Sequence, residues 1–197
     1  MNRSILSDLY QEIKHKNRLL SEEEIQGLIL VIGSNYNKDN DLFSIAILCL
    51  GLGSDFIKAR PDYFKDFFSS NIIDEDLVEI FRCIQYNQII GNYIFELLEY
   101  STVEKYLNEY ELASIEALNA IGEFLYNSRN NSLYYIIRNR LKYSLSKYLE
   151  TKDQYVKVYI KAIYKCLIIS FKGHQSKFES NEINYSQDIM TNLPEKI

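Results

Sequence analysis

The residues that could carry out catalysis are few in this chain of 197 residues, and their spacing does not suit it. The two histidines, His15 and His174, lie far apart, and no metal-ligand motif such as HExxH accompanies either of them. The segment 51–54, Gly-Leu-Gly-Ser, resembles a phosphate-binding loop only in its glycines, because it follows an apolar helix and lacks the required lysine. The sequence therefore predicts neither a metal ion nor a cofactor.

The cysteines and carboxylates also favour a non-catalytic protein. Cys49, Cys83 and Cys166 lie within apolar stretches and form no CxxC pair, so we expect buried, reduced thiols. Carboxylate pairs such as Asp76 and Glu79 have the i,i+3 spacing of a helix surface, where such groups are usually solvated. We therefore expect a protein that binds rather than one that catalyses a reaction.

Charge is distributed unevenly along the chain. Residues 74–123 hold 11 acidic residues and 2 basic ones, whereas residues 129–177 hold 11 basic residues and 2 acidic ones. Glu109, Glu116 and Glu123 recur every seven residues, so a continuous helix would carry them on one face. The sequence predicts an acidic binding surface made of Glu96, Glu99, Glu104, Glu109, Glu116 and Glu123. Two simpler interpretations stay open: solvated faces of amphipathic helices, or pairing of the two windows within the domain.

The elements that position these residues are predicted to be helices. Only 2 prolines and 7 glycines interrupt the chain, and apolar residues recur at helical spacing, as in Leu6, Leu9 and Ile13. The hydrophobic content of 47% is that of a folded domain. We expect one helical domain over residues 1–173 and a polar C-terminal tail over 174–197.

Local signals mark the helix boundaries. A capping box, Ser21 to Glu24, opens a helix that Gly33 closes. Asn40 or Asp41 caps an apolar helix that ends at Gly53. Four further helices are predicted before residue 127: one started or kinked by Pro61, one capped by Asp74, one over Gln88–Tyr100, and one over about Leu112–Tyr126 that follows a capping box at 101–104. A helix over 132–150 comes next, and a capping box at 151–154 begins the last long helix.

One internal similarity bears on the architecture. The segments Ala46–Gly51 and Ala117–Gly122 align at an offset of 71 residues, about two units of roughly 35. Their small residues and apolar run resemble the second helix of HEAT-type repeats, in which small residues let helices approach closely. The resemblance implies an all-α fold, a short HEAT- or armadillo-like array of antiparallel helix pairs. An irregular helical bundle is the alternative.

The combination of an acidic window, helical repeats and no catalytic motif resembles the immunity proteins of bacterial toxin systems, including those of contact-dependent growth inhibition. The resemblance implies a cytoplasmic, non-enzymatic protein whose acidic surface covers the basic active-site cleft of a toxin domain such as a nuclease. No apolar run approaches the ~20 residues that span a bilayer, so no membrane association is expected. The alternatives are a helical adaptor for another protein, or a nucleic-acid-binding protein that uses basic C-terminal helices bearing Lys157, Lys161 and Lys165.

Overall fold

The computed structural model describes residues 1–68, 72–101, 111–127, 135–140, 143 and 166. Within these ranges the regular structure is helical and no strand occurs, which confirms the predicted all-α class. A 3₁₀ turn, Ile90–Asn92, precedes α7, and residues 135–140 are also helical. The helices are α1 (Arg3–Lys16), α2 (Glu22–Asn35), α3 (Asn40–Gly53), α4 (Phe56–Ala59), α5 (Lys65–Phe68), α6 (Asp74–Tyr86), α7 (Ile94–Tyr100) and α8 (Glu111–Asn127).

The start of α2 is the predicted capping box. The backbone N–H of Glu24 donates to Ser21 Oγ (3.3 Å), and the Ser21 N–H donates to Glu24 Oε2 (2.8 Å). Arg18 Nη2 adds a contact of 2.6 Å to Glu24 Oε1. The predicted end at Gly33 is wrong, because α2 continues to Asn35. Gly33 does not adopt a left-handed conformation, and it is Asn37 (φ 60°) that makes the turn beyond the helix.

Two other predicted caps differ from the structure. Asp39, not Asn40 or Asp41, caps α3 by accepting the Leu42 N–H (3.1 Å), although α3 ends at Gly53 as predicted. Asp74 is the first residue of α6, and its side chain does not cap that helix. Its carboxylate instead bonds the start of α8, a contact between distant segments that local sequence does not signal.

The other boundary predictions had mixed outcomes. Pro61 lies in a turn, and α5 begins only at Lys65. The predicted helix over Gln88–Tyr100 is interrupted, since Gln88 has φ 60° and α7 starts at Ile94. The helix predicted over Leu112–Tyr126 is confirmed as α8. The capping box at 151–154, the tail, most of 101–104 and most of 132–150 lie outside the described residues.

Helices α3, α6 and α8 form a row and run in the same direction. Asp76, in the first turn of α6, accepts hydrogen bonds from Asn37 N (2.6 Å) and Asn40 Nδ2 (3.0 Å) at the start of α3. Asp74 accepts two backbone N–H groups in the first turn of α8 (2.9 and 2.8 Å). These bonds join residues 36 to 39 positions apart, close to the predicted repeat of about 35. The three helix starts therefore lie together at one end of the row.

Other helices cover one side of the row. Helices α1 and α2 pack against α3, and α7 packs against α8. Helix α5 packs against α6, where the ring of Phe68 stacks on the buried ring of Phe81 with centroids 5.8 Å apart. The described helices thus form two layers, with the core between them. None of them combines the length and apolarity needed to cross a lipid bilayer.

Two glycines in the similar segments lie at close contacts, one between α3 and α6 and one between α8 and Cys166. A Cβ on Gly51 would lie 2.9 Å from Cys83 Sγ of α6. A Cβ on Gly122 would lie 3.2 Å from Cys166 Cα. Both distances are shorter than ordinary carbon contacts of about 3.5–4.0 Å. The two aligned segments therefore each place a glycine at a close contact with a neighbouring residue.

Candidate functional site

The thiols are placed for structure rather than nucleophilic attack. Cys49, Cys83 and Cys166 are all buried, as the sequence predicts. Burial raises the pKa of the Cys49 and Cys83 thiols to about 12, so both are protonated at neutral pH. A nucleophilic cysteine needs a lowered pKa and access to solvent. Across the described ranges, no three His, Cys, Asp or Glu side chains are grouped to hold a metal ion.

The pair Asp76 and Glu79, predicted to be solvated, is divided between core and surface. Asp76 is fully buried, because its carboxylate is the acceptor that ties α6 to the start of α3. Glu79 is half-buried and pairs with Arg82 at 2.9 Å. The prediction is therefore wrong for Asp76, which is a structural residue.

Asp74 has a similar structural role between α6 and α8. Burial raises the pKa of its carboxyl group, and this effect outweighs the hydrogen bonds from Ala113 and Leu112, which lower the pKa. The neighbouring charge of Glu75 raises the pKa further. The Asp74 carboxyl group thus keeps its two hydrogen bonds to the start of α8, although burial removes it from water.

Helices α6 and α8 bring acidic side chains together on the side of the row that the other described helices do not cover. The spacing of Glu75, Glu79 and Arg82 places them on one face of α6. On α8, Glu116 Oε2 lies 3.8 Å from Arg82 Nε, and Glu123 accepts a hydrogen bond from Gln85 of α6. We refer to this surface as the acidic face; it is defined by Glu75, Glu79, Glu116 and Glu123.

The acidic face carries little compensating positive charge. Residues 72–101 and 111–127 contain nine acidic residues but a single basic one, Arg82. Arg82 lies between Glu79 and Glu116, so its charge is already balanced by two carboxylates. The surface is therefore strongly negative and lies on two helices fixed to each other at their starts.

The structure separates the six glutamates predicted to form one surface. Glu116 and Glu123 belong to the acidic face. Glu96 and Glu99 lie on α7, in the covering layer. The pKa of Lys65 is raised mainly by its hydrogen bond to Asp62 and further by the charge of Glu96, which places Glu96 near α5. Glu104 and Glu109 lie outside the described residues.

Glu75 and Glu79 were not among the residues predicted to form the acidic surface, although Arg82 links Glu79 to Glu116. Their i,i+4 spacing on α6 was a usable signal, but the contact with α8 depends on the parallel row. The basic window lies mostly outside the described residues. Within it, Arg138 is buried and Arg140 is exposed.

Comparisons of this chain with protein-family models, with curated proteins and with solved structures found no match. Function is therefore inferred from the chemistry of the acidic face. That face carries several carboxylates on two helices that are hydrogen-bonded to each other at their starts.

Proposed function

We propose that this protein is a non-enzymatic inhibitor of the immunity type, which binds a basic toxin domain through the acidic face and covers its active-site cleft. The observation that supports the proposal is the charge of α6 and α8, where Arg82 is the one basic residue described and is held between two glutamates. A nuclease is the favoured toxin class, because its cleft is basic to bind a polyanionic substrate.

Stability gives no reason for such a concentration of negative charge. Exposed ion pairs contribute about 0–1 kcal/mol each, and like charges placed side by side repel each other. An acidic surface does accelerate encounter with a basic partner, by roughly ten- to a thousandfold at low salt. The arrangement is thus more useful for binding than for folding.

The test begins with the full chain as bait in a lysate of its native host, followed by mass spectrometry of what is retained. One basic polypeptide recovered in equal amount supports the proposal. That polypeptide is then purified, and its nuclease activity is measured with and without the chain. Recovery of several unrelated proteins would favour an adaptor, and recovery of nucleic acid alone would favour the basic C-terminal helices.

Charge reversal then tests the acidic face itself. The double variant Glu116→Lys, Glu123→Lys should slow association with the purified partner about tenfold or more at low salt. The control, Asp8→Lys with Glu23→Lys, makes the same change of charge at exposed positions of α1 and α2. Circular dichroism checks that both variants stay folded. Equal association rates for the two variants would exclude the acidic face as the binding surface.

A further inference from the structure

A cleft of about 550 Å³ lies on the same side of the row as the acidic face, toward the C-terminal ends of α3 and α6. One wall is apolar and consists of Ile47, Leu48, Gly51 and Leu52 of α3, with Cys83 of α6 behind it. The opposite wall is polar and consists of Arg82, Gln85, Tyr86, Gln88 and Glu123. Since Glu123 lines this cleft and also belongs to the acidic face, the two adjoin.

The cleft has the features of an anchor site for a large apolar side chain. Its volume falls in the usual range of about 300–1,000 Å³ for binding pockets. Leu48 and Leu52 are only half-buried, and the Tyr86 side chain at the rim is 63% exposed. Exposed aromatic residues beside an apolar pocket are typical binding hot spots.

A second cleft, of about 400 Å³, continues from the first. It shares Gln85, Gln88 and Glu123 with the first cleft and extends along α8 to Phe124 and Asn127. Neighbouring helices lie about 8–10 Å apart, so a groove from α3 to α8 is about 20 Å long. At about 3.3 Å per residue, this length suits an extended segment of five or six residues.

We propose that this groove binds an extended segment of the basic partner in which a large apolar residue is flanked by lysine or arginine. The apolar side chain fills the first cleft between Leu52 and Tyr86, and a flanking cation pairs with Glu123. The charge of the site favours this occupant. The positive charge of Arg82 on the rim is balanced by Glu79 and Glu116, so Glu123 leaves the site negative. This proposal rests on the proposed function and adds the part of the partner that is recognised.

The probes are two synthetic peptides of equal charge, capped at both ends: Lys-Lys-Leu-Phe-Lys-Lys and Lys-Lys-Ser-Gly-Lys-Lys. Each is titrated into the ¹⁵N-labelled full chain, and the dissociation constant is taken from the amide shifts. The apolar peptide should bind about tenfold more tightly, because only it buries apolar surface in the cleft. Its largest shifts should fall on Gly51 and Tyr86.

Variants separate the groove from the charge. Tyr86→Ala should reduce the preference for the apolar peptide to less than threefold and leave the affinity of the polar peptide unchanged. Tyr126→Ala is the control, because Tyr126 is an exposed tyrosine on α8 that lines neither cleft. Both peptides should bind more weakly to the Glu116→Lys, Glu123→Lys variant.

The outcomes distinguish the two proposals. If both peptides bind equally and both are weakened by charge reversal, the acidic face binds cations and the groove proposal is overturned. A preference that survives Tyr86→Ala, or shifts that map away from Gly51, overturns it too. If neither peptide binds at millimolar concentration, or charge reversal has no effect on either, the proposed function fails together with it.

Discussion

Replacing Gly51 with alanine should lower the free energy of unfolding by about 1–2 kcal/mol. The direction is unusual, because alanine inside a helix is ordinarily more stable than glycine by up to about 1 kcal/mol. The reason for the reversal is the close contact between α3 and α6 at this position.

The magnitude follows from two contacts. The new Cβ would lie 2.9 Å from Cys83 Sγ and 3.0 Å from Asn87 Nδ2. Asn87 is 2% exposed, and its Nδ2 group already donates to the Cys83 carbonyl (2.9 Å), so moving it costs a hydrogen bond. Overpacking of this kind costs about 1–3 kcal/mol, and the disturbed amide places Gly51 in the upper half of that range. Subtracting the helical gain of alanine leaves about 1–2 kcal/mol.

The assay is equilibrium unfolding in urea, with Gly33→Ala as the matched control. Gly33 is also helical, but a Cβ there meets nothing within 4 Å, so this variant should gain about 0.5–1 kcal/mol. The two variants should therefore differ by about 2 kcal/mol. Adding Cys83→Ala to Gly51→Ala should recover part of the loss, measured as a coupling energy between the two sites. If Gly51→Ala were as stabilising as Gly33→Ala, the close approach of α3 and α6 described above would be wrong.

Three further predictions concern the acidic groups and caps. Asp76→Ala should lower the free energy of unfolding by about 2–3 kcal/mol, because it leaves two donors without their buried acceptor. Urea unfolding measures this loss, with Glu75→Ala as the exposed control, and a loss below 1 kcal/mol would contradict the role of Asp76. Asp74→Asn tests the raised pKa of Asp74: its contribution to stability is present below its pKa in the unfolded chain and is lost as pH rises through the folded value. The stability of the unmodified chain minus that of Asp74→Asn should therefore fall between pH 3 and pH 7 in urea melts, and a rise would refute the sign. Ser21→Ala should lower the free energy of unfolding by about 1 kcal/mol, because the cap of α2 is lost. Ser7→Ala, on the exposed side of α1, should change this free energy by less than 0.5 kcal/mol. Thermal unfolding measures both, and equal effects would contradict the capping box.

Local signals in the sequence were enough to predict most helices. The capping box at Ser21 and the end of α3 at Gly53 could be predicted because the interactions involve residues within one helical turn. Gly33 misled the prediction, since a glycine ends a helix only where the chain turns left-handed, and here that residue is Asn37.

The candidate site was less predictable, because it depends on contacts between residues far apart in the chain. Asp74 and Asp76 look like ordinary first-turn acids of α6, yet their partners lie 36 to 39 residues away. The seven-residue spacing did place Glu116 and Glu123 together. It could not show that Glu96 belongs to the covering layer, because that depends on how α7 packs.

The common direction of α3, α6 and α8 has an electrostatic consequence that does not involve side chains. Peptide dipoles add along each helix and give about half a negative elementary charge at its C-terminal end. Since the three helices start together, their C-terminal ends also lie together, at the end of the row that holds the clefts. These ends are Gly53, Tyr86 and Asn127. The backbone itself therefore contributes a negative potential there. Unlike the charge of the glutamates, this potential does not titrate, so some attraction for cations should persist in acid.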